Sequence, residues 1–320
     1  MKFLITGGAG FIGSHLSERL IDMNHEIIVL DNLSTGSSRN ILELSNEKRF
    51  SFVEGNMLNE ALVSELMGKV DGCFHLGAAL GVKRILERPY SSLISNTQGT
   101  EIAVKAAVKH GVKFFLASTS ELYGKNPKQP LTEESDRVIG SPQLVRWAYS
   151  EAKAIDESVV QMFHQSHGLK YVTGRFFNTV GPRQAGAYGM VLPRFVAAAI
   201  KNEPIQVYGD GSQSRVFCHV SDAVDGVLRI FFDDSLVGEA FNIGGEEEIT
   251  ISQLAERVIR IVGSSSKIEK VAYEEAYAAG FEETMRRVPD TSKLRKKTGW
   301  APRYSLDDTI RDIEKYLRQQ

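Results

Sequence analysis

Tyr149 and Lys153, in RWAYSEAKAIDE, stand four residues apart in a stretch of helical pattern, so they share one helix face. A phenol titrates at about pH 10, too high for a base at neutral pH. A neighbouring ammonium favours the phenolate and lowers that value, each unit being worth about 1.4 kcal/mol. The spacing is common, and by itself it describes a solvated helix face. A third partner gives it weight. In FFLASTSELYG, Ser118, Thr119 and Ser120 form a hydroxyl cluster at the end of an apolar run. Thr119 is expected to hydrogen-bond the same reacting oxygen as Tyr149; the bland alternative is a polar strand end that satisfies its own backbone.

Taking a proton from a hydroxyl is useful when a hydride leaves the same carbon, and the chain begins with a place for the hydride acceptor. KFLITGGAGFIGSHL sets Gly7, Gly10 and Gly13 between a strand pattern and a helix pattern, with Phe11 and Ile12 inside the triplet. Such glycines permit a tight turn, close backbone approach to a pyrophosphate and a helix tucked against the sheet. The amide groups opening that helix favour phosphate. Asp31 ends the next strand pattern, where an acidic side chain accepts from the adenosine ribose hydroxyls and repels a 2′-phosphate. NAD rather than NADP is the expected cofactor, and capping roles are expected of Asn32 and Ser34 more than of Asp31. Asn56 and Met57 are expected to flank the adenine. Leu76, Gly77 and Ala78, in HLGAA, are small enough to let the cofactor pass, and His75 reads as a packed structural histidine.

The positioning elements follow from the patterning. Strands are expected at Phe3–Thr6, Glu26–Leu30, Phe50–Val53, Gly72–Leu76, Phe114–Ser118 and Tyr171–Arg175. Amphipathic helices are expected at Gly13–Met23, Ala61–Met67, Ser92–His110 and Tyr149–His167. This alternation predicts an α/β fold with a Rossmann-type doubly wound parallel sheet. The texture changes after about Asn178. Residues 1–177 are expected to form the NAD-binding domain, and 178–320 a smaller C-terminal α/β substrate-binding region with some chain crossing back. Helices there are expected at Ser221–Phe232, Ser252–Val262 and Leu306–Leu317.

A formal net charge of -2, with 42% hydrophobic and 24% charged residues, suits a globular enzyme and gives no footprint for nucleic acid or a membrane. No metal cluster is apparent. Cys73 and Cys218 lie in apolar runs and read as buried reduced thiols, and the first residues lack a signal-peptide pattern; a cytoplasmic location is expected.

The ordered set GGAGFIG, Asp31, HLGAA, STSELYG, YSEAK, RFFNTVGPR, GDGSQSRVF and RRVPDTSKLRKKTGW resembles the extended short-chain dehydrogenase/reductase family over nearly the whole chain. That family holds nucleotide-sugar epimerases, 4,6-dehydratases and UDP-glucuronate decarboxylases. The resemblance implies NAD kept through turnover, oxidation at sugar C4, chemistry on the 4-keto intermediate and return of the hydride. It also implies a homodimer through two helices per subunit, here Ser92–His110 and Tyr149–His167. It assigns Arg215 to the diphosphate of a UDP-linked sugar, as suits a planar guanidinium. Asn178 and the VGPR loop would line sugar and phosphate, and Gln206, Val207 and Tyr208 would form a uracil-contacting strand, with Val191 and Arg194 in the same substrate set. Asp222, opening a helix pattern, is as readily an N-cap as a functional residue.

Three departures stand out: Asn56 replaces the usual adenine-site aspartate, HLGAA replaces HLAA, and Ala148 replaces the proline beside the tyrosine, with Pro142 upstream. The loop 140–147 is therefore unusual, and Arg146 is placed to reach substrate. The branches differ in what acts on C5. Ser120–Glu121 lacks the aspartate of hexose 4,6-dehydratases of the dTDP-glucose type. A bacterial decarboxylase branch shares both the RWxYSxxK segment and an arginine two residues before a proline, where Arg287 stands. A β-keto acid needs no base at C5. It needs a carboxylate holder, a ring contact and a proton donor, for which Arg287, Ser120 and Glu121 are the expected residues. Glu121 beside a uronate would be repulsive unless protonated, and the sequence leaves that conflict open. The reaction is ordered as UDP-glucuronate decarboxylase, then UDP-sugar 4-epimerase, then nucleotide-sugar 4,6-dehydratase. A non-catalytic NAD-binding protein would be expected to lose Tyr149 or Lys153. A dehydrogenase that releases NADH stays open.

Overall fold

The computed structural model describes residues 1–78, 89–186, 190–273, 282 and 284–320. Its centre is a sheet of parallel strands: β1 (Lys2–Thr6), β2 (Glu26–Asp31), β3 (Phe50–Glu54), β4 (Gly72–His75), β5 (Lys113–Thr119), β6 (Tyr171–Phe176) and β11 (Ala240–Ile243). Their spatial order is β11-β6-β5-β4-β1-β2-β3. Strands such as KFLIT and EIIVLD are apolar almost throughout because helices cover both faces of the sheet. On one face lie α1 (Phe11–Asp22) and α6 (Val220–Phe232), packed around Phe3, Ile5, Phe74 and Phe231. On the other lie α2 (Glu60–Met67), α3 (Pro89–His110) and α4 (Ala148–His167), around Leu4, Cys73, Phe114 and Val160. The strand order reverses direction between β1 and β4, and the carboxyl ends there open a crevice where such sheets take ligands.

The second core is built from α5 (Val191–Lys201), α7 (Ile251–Val262) and α9 (Leu306–Arg318) around Phe195, Leu254 and Ile310. The chain also pairs β7 (Thr179–Val180) with β10 (Cys218–His219) and forms the short helix α8 (Ser292–Thr298). Two further small sheets border the second core. One pairs β8 (Ile205–Tyr208) with β13 (Ile268–Val271). The other has the order β12-β9-β14, from Glu248–Thr250, Ser214–Val216 and Arg286–Arg287. The chain does not stay in this second region once it arrives. Strand β11 pairs in parallel with β6, while α6, Leu294 and Trp300 pack into the first core.

Asp222 is neither N-cap nor cleft residue. His219 caps α6, with its ring accepting from Ser221 N, and Asp222 lies buried in the first turn. Its Oδ2 accepts from the backbone N–H groups of Arg303 and Tyr304, both at 3.0 Å, and so fastens the chain entering α9 to α6. Asp222→Ala leaves both donors without their acceptor. We expect a loss of about 1–3 kcal/mol in unfolding free energy, read by denaturant titration, with dinucleotide affinity unchanged.

Candidate active site

One continuous cleft runs from the glycine loop, past the carboxyl ends of β1, β4 and β5, to β8, β9 and β14. The residues expected to bind cofactor or substrate, or to act in catalysis, line it, except Gln206 and Val207 of the expected uracil-contacting strand and Gly181 and Pro182 of the VGPR loop. Ala79, the last residue of HLGAA, lies outside the described residues.

At the cofactor end, Gly10 caps α1 without a side chain, and the first turn carries no acidic residue, so its amide groups present an uncompensated positive end. The loop tolerates no side chain where it turns back. Gly7 has φ +72°, and a Cβ there would lie 2.7 Å from Gly77 N. A Cβ on Gly13 would lie 2.3 Å from Gly7 O. This cradle fits a pyrophosphate. Asp31 does more capping than its sequence context suggests. Its Oδ2 accepts from Ala9 N at 3.0 Å and its Oδ1 from Leu33 N at 2.8 Å, while Asn32 Oδ1 accepts from Ser34 N at 3.1 Å. Burial raises the Asp31 carboxyl above its ordinary value, and those amides counter it. Asn56 Oδ1 is already engaged by Leu58 N at 3.0 Å.

His75 is structural, between Thr6 Oγ1 at 2.9 Å and Thr100 Oγ1 at 3.3 Å. Burial first, and then the Lys153 charge, push its imidazole down to about 3.

Tyr149 stands in the first turn of α4 and Lys153 one turn on, both in the cleft wall. Lys153 is paired along its own helix. Its Nζ donates to Asp156 Oδ2 at 3.0 Å, and Asp156 is fully buried. Burial, then the negative charges of Glu121 and Asp156, push the Tyr149 phenol well above its ordinary value. Asp156 was not singled out from sequence. The available signal was a lysine and an aspartate spaced i, i+3 on a face that also carries the buried Ala152 and Val160. Arg183, read only as part of VGPR, also lines the cleft, with φ +69° and Nη2 2.5 Å from Glu18 Oε1 of α1.

The STSE segment is held against α4. Thr119 caps a short 3-10 turn, Ser120–Tyr123, and its Oγ1 accepts from Glu121 N at 3.2 Å. Ser150 Oγ donates to Glu121 O at 2.9 Å. Ser118 hydrogen-bonds to Glu157, which Arg175 also grips. Glu121 bridges two arginines: Oε1 bonds Arg287 Nη1, and Oε2 lies 2.6 Å from Arg146 Nη2. Burial alone would raise this carboxyl, but the two guanidinium charges outweigh it and hold it well below the usual carboxylate range. Glu121 therefore rests as a carboxylate between its two arginines in the substrate-free chain. Arg287 Nη2 also donates to Asn178 Oδ1 at 3.2 Å, and Asn178 Nδ2 donates to Val216 O at 3.0 Å. Arg287 and Arg215 are register partners in neighbouring strands, which sets two guanidinium groups side by side at this end of the cleft.

At the far wall, Arg194 stacks over Tyr208, with its guanidinium 4.0 Å from the ring centroid, and donates to Gln206 O at 3.1 Å. Val191 lies beside them in the lining. Val207 is a correction. It is fully buried in the second core, because strand neighbours point to opposite faces and Tyr208 takes the cleft side of β8. Among the described residues, no group of three or more His, Cys, Asp or Glu side chains is placed to hold a metal ion. None of the helices searched there is long and apolar enough to cross a membrane.

The chain matches the GDP-mannose 4,6 dehydratase family over residues 4–313. It is 38% identical over 319 residues to a UDP-N-acetyl-alpha-D-glucosaminuronate decarboxylase from Bacillus cytotoxicus, covering 99% of this chain and 98% of the other. It is 32% identical to UDP-glucuronic acid decarboxylase 1 of Xenopus tropicalis, covering 100% and 72%. Among solved structures, the UDP-glucuronic acid 4-epimerase of Bacillus cereus, in complex with UDP-glucuronic acid and NAD, superposes with a TM-score of 0.90 at 26% identity, covering 100% and 99%. DesIV, a dTDP-glucose 4,6-dehydratase from Streptomyces venezuelae with NAD and TYD bound, gives 0.89 at 29%, covering 100% and 98%. The chain belongs to the GDP-mannose 4,6 dehydratase family, within the NAD-dependent nucleotide-sugar epimerase, dehydratase and decarboxylase group of extended short-chain dehydrogenases/reductases.

Proposed function

We propose that this protein is an NAD-dependent UDP-hexuronate decarboxylase, with UDP-glucuronate as the substrate that defines the reaction. The observation that carries this reading is the arginine pair around Glu121 at the sugar end of a dinucleotide cleft, in a chain whose full-length relatives include uronate decarboxylases. Gly7, Gly10, Phe11, Ile12 and Gly13 would hold the pyrophosphate, Asp31 and Asn32 the adenosine ribose, and Asn56 and Met57 the adenine. Leu76, Gly77, Ala78, Ser118, Tyr149 and Lys153 complete that cofactor set. When bound, NAD supplies a reversible hydride acceptor at sugar C4.

The chain's own groups do the rest. Tyr149 takes the C4 hydroxyl proton, and Thr119 holds the same oxygen. Once C4 is a carbonyl, the C5–C6 bond can break with its electron pair delocalised onto the C4 oxygen, and carbon dioxide leaves. The protonated Tyr149 and Thr119 then stabilise that oxygen by hydrogen bonds. A solvent proton then joins C5, the hydride returns to C4, and Tyr149 gives its proton back to the C4 oxygen. No base at C5 is needed. Ser120 positions the ring, Arg287 takes the uronate carboxylate, and Arg215 and Asn178 take the diphosphate side. Val191, Arg194 and Tyr208 bound the nucleobase. Asp156 fixes Lys153 beneath the tyrosine.

Incubation with UDP-glucuronate and NAD, followed by mass analysis, tests this reading. Loss of carbon dioxide supports it, and no turnover sinks it. UDP-N-acetylglucosaminuronate run in parallel decides which C2 substituent is preferred, a question raised by the Bacillus cytotoxicus relative. The second reading is a uronate 4-epimerase, favoured by the superposition on the Bacillus cereus enzyme; it gives an isobaric product. A homodimer through α3 and α4 is part of the proposal, supported by exposed Tyr90, Ile94, Ile155 and Met162 on those helices. Light scattering that returns a monomer mass would remove it. A cytoplasmic location agrees with two free, buried cysteines.

A further inference from the structure

We propose that Arg146 is a second carboxylate-binding, specificity-determining residue. With Arg287 it forms a two-guanidinium clamp, spaced by Glu121, that selects a nucleotide sugar carrying a carboxylate over its neutral counterpart. This deepens the uronate reading above and rests on it.

Arg146 and Arg287 have side chains 8% and 11% exposed, and the carboxylate between them is 18% exposed. Two of these three groups are cations and one is an anion, and Glu282, which also feels Arg146, is itself paired with Lys125; in this partly desolvated corner charge counts for more than in water. Lys153 and Asp156 neutralise each other nearby, and Arg215 is assigned to the diphosphate. A uronate carboxylate entering this corner balances it; a neutral hydroxymethyl group leaves it unbalanced. The apparent repulsion between Glu121 and a uronate therefore disappears without protonating either group. Glu121 holds one guanidinium on each of its two oxygens, which brings both planar forks to one corner of the cleft.

The mount is rigid, as selectivity by a charged fork requires. Arg146 lies in the 3-10 turn Val145–Trp147, and its guanidinium sits 5.0 Å from the Trp147 ring centroid. Trp147 is buried, and its indole N–H donates to Glu282 Oε2 at 3.0 Å. Lys125 Nζ holds the same Glu282 carboxylate at 2.9 Å. Arg146 is thus fixed from the side of the indole, whereas Arg287 is fixed by the strand pairing of β14.

The test compares affinities of the NAD-loaded enzyme for UDP-glucuronate and for UDP-glucose, which is neutral at C6, in the wild type, Arg146→Gln and Arg146→Lys. We expect Arg146→Gln to weaken UDP-glucuronate about 10- to 100-fold while UDP-glucose changes by less than about threefold. Arg146→Lys keeps the charge but not the fork and falls between. Equal losses for both ligands, or an unchanged preference, overturn the proposal. If Arg146→Gln fails to fold, Arg146→Lys decides: a reduced preference supports the clamp, and a wild-type preference overturns it. A wild type that never decarboxylates UDP-glucuronate, but loses its preference on Arg146→Gln, would remove the decarboxylase reading and leave the clamp standing. A wild type that decarboxylates, with no change of preference in the variants, does the reverse.

Discussion

Tyr149→Phe lowers turnover by about 10²- to 10⁴-fold while NAD binding stays within a few-fold of wild type. The hydroxyl is the only atom group removed, and it is the proposed proton acceptor for the C4 alcohol. Steady-state rates and a dinucleotide titration on the same preparation separate the two effects. Surviving activity would move the base elsewhere. The environment adds a pH signature. Burial and the charges of Glu121 and Asp156 raise the phenol above its ordinary value, so at neutral pH it is protonated in the protein alone. Turnover should therefore increase with pH over the alkaline limb as the phenolate forms. Asp156→Asn removes one of the charges that raise the phenol and should move that limb to lower pH; Lys153→Met should move it higher. A limb that both variants leave in place would separate the profile from Tyr149.

Arg287→Ala has the second large effect. It strips a guanidinium from Glu121 and Asn178 at once and removes the proposed carboxylate holder. Truncating one partner of a buried, hydrogen-bonded charge pair costs about 2–5 kcal/mol. The expected fall in kcat/KM for UDP-glucuronate is about 30- to 4000-fold. Binding of UDP alone should change little, since Arg215 and the β8 wall remain. An equal fall for UDP would reduce Arg287 to a diphosphate contact.

The parts of the molecule that could be read from sequence are those set by local pattern. The expected strands and helices of the first half are present with ends shifted by at most a few residues, because apolar runs and amphipathic periods are properties of short windows. Strand β11 is different. FNIGG reads as part of the substrate region, and only tertiary pairing with β6 takes it into the main sheet. Val207 and Tyr208 could have been separated from sequence, since adjacent strand residues cannot both face a ligand. The state of Glu121 could not. Its partners lie 25 and 166 residues away, and no window contains the charge balance that keeps it ionised. The same holds for Asp222, whose acceptor role depends on a chain segment about 80 positions later.

The proposed reaction loses C6 as carbon dioxide inside a closed redox cycle. UDP-glucuronate labelled isotopically at C6 tests it directly. One labelled carbon dioxide is expected per nucleotide-sugar product formed, with no standing accumulation of NADH. Label retained at C6 of a 4-epimer, or NADH accumulating in step with substrate loss, would contradict it.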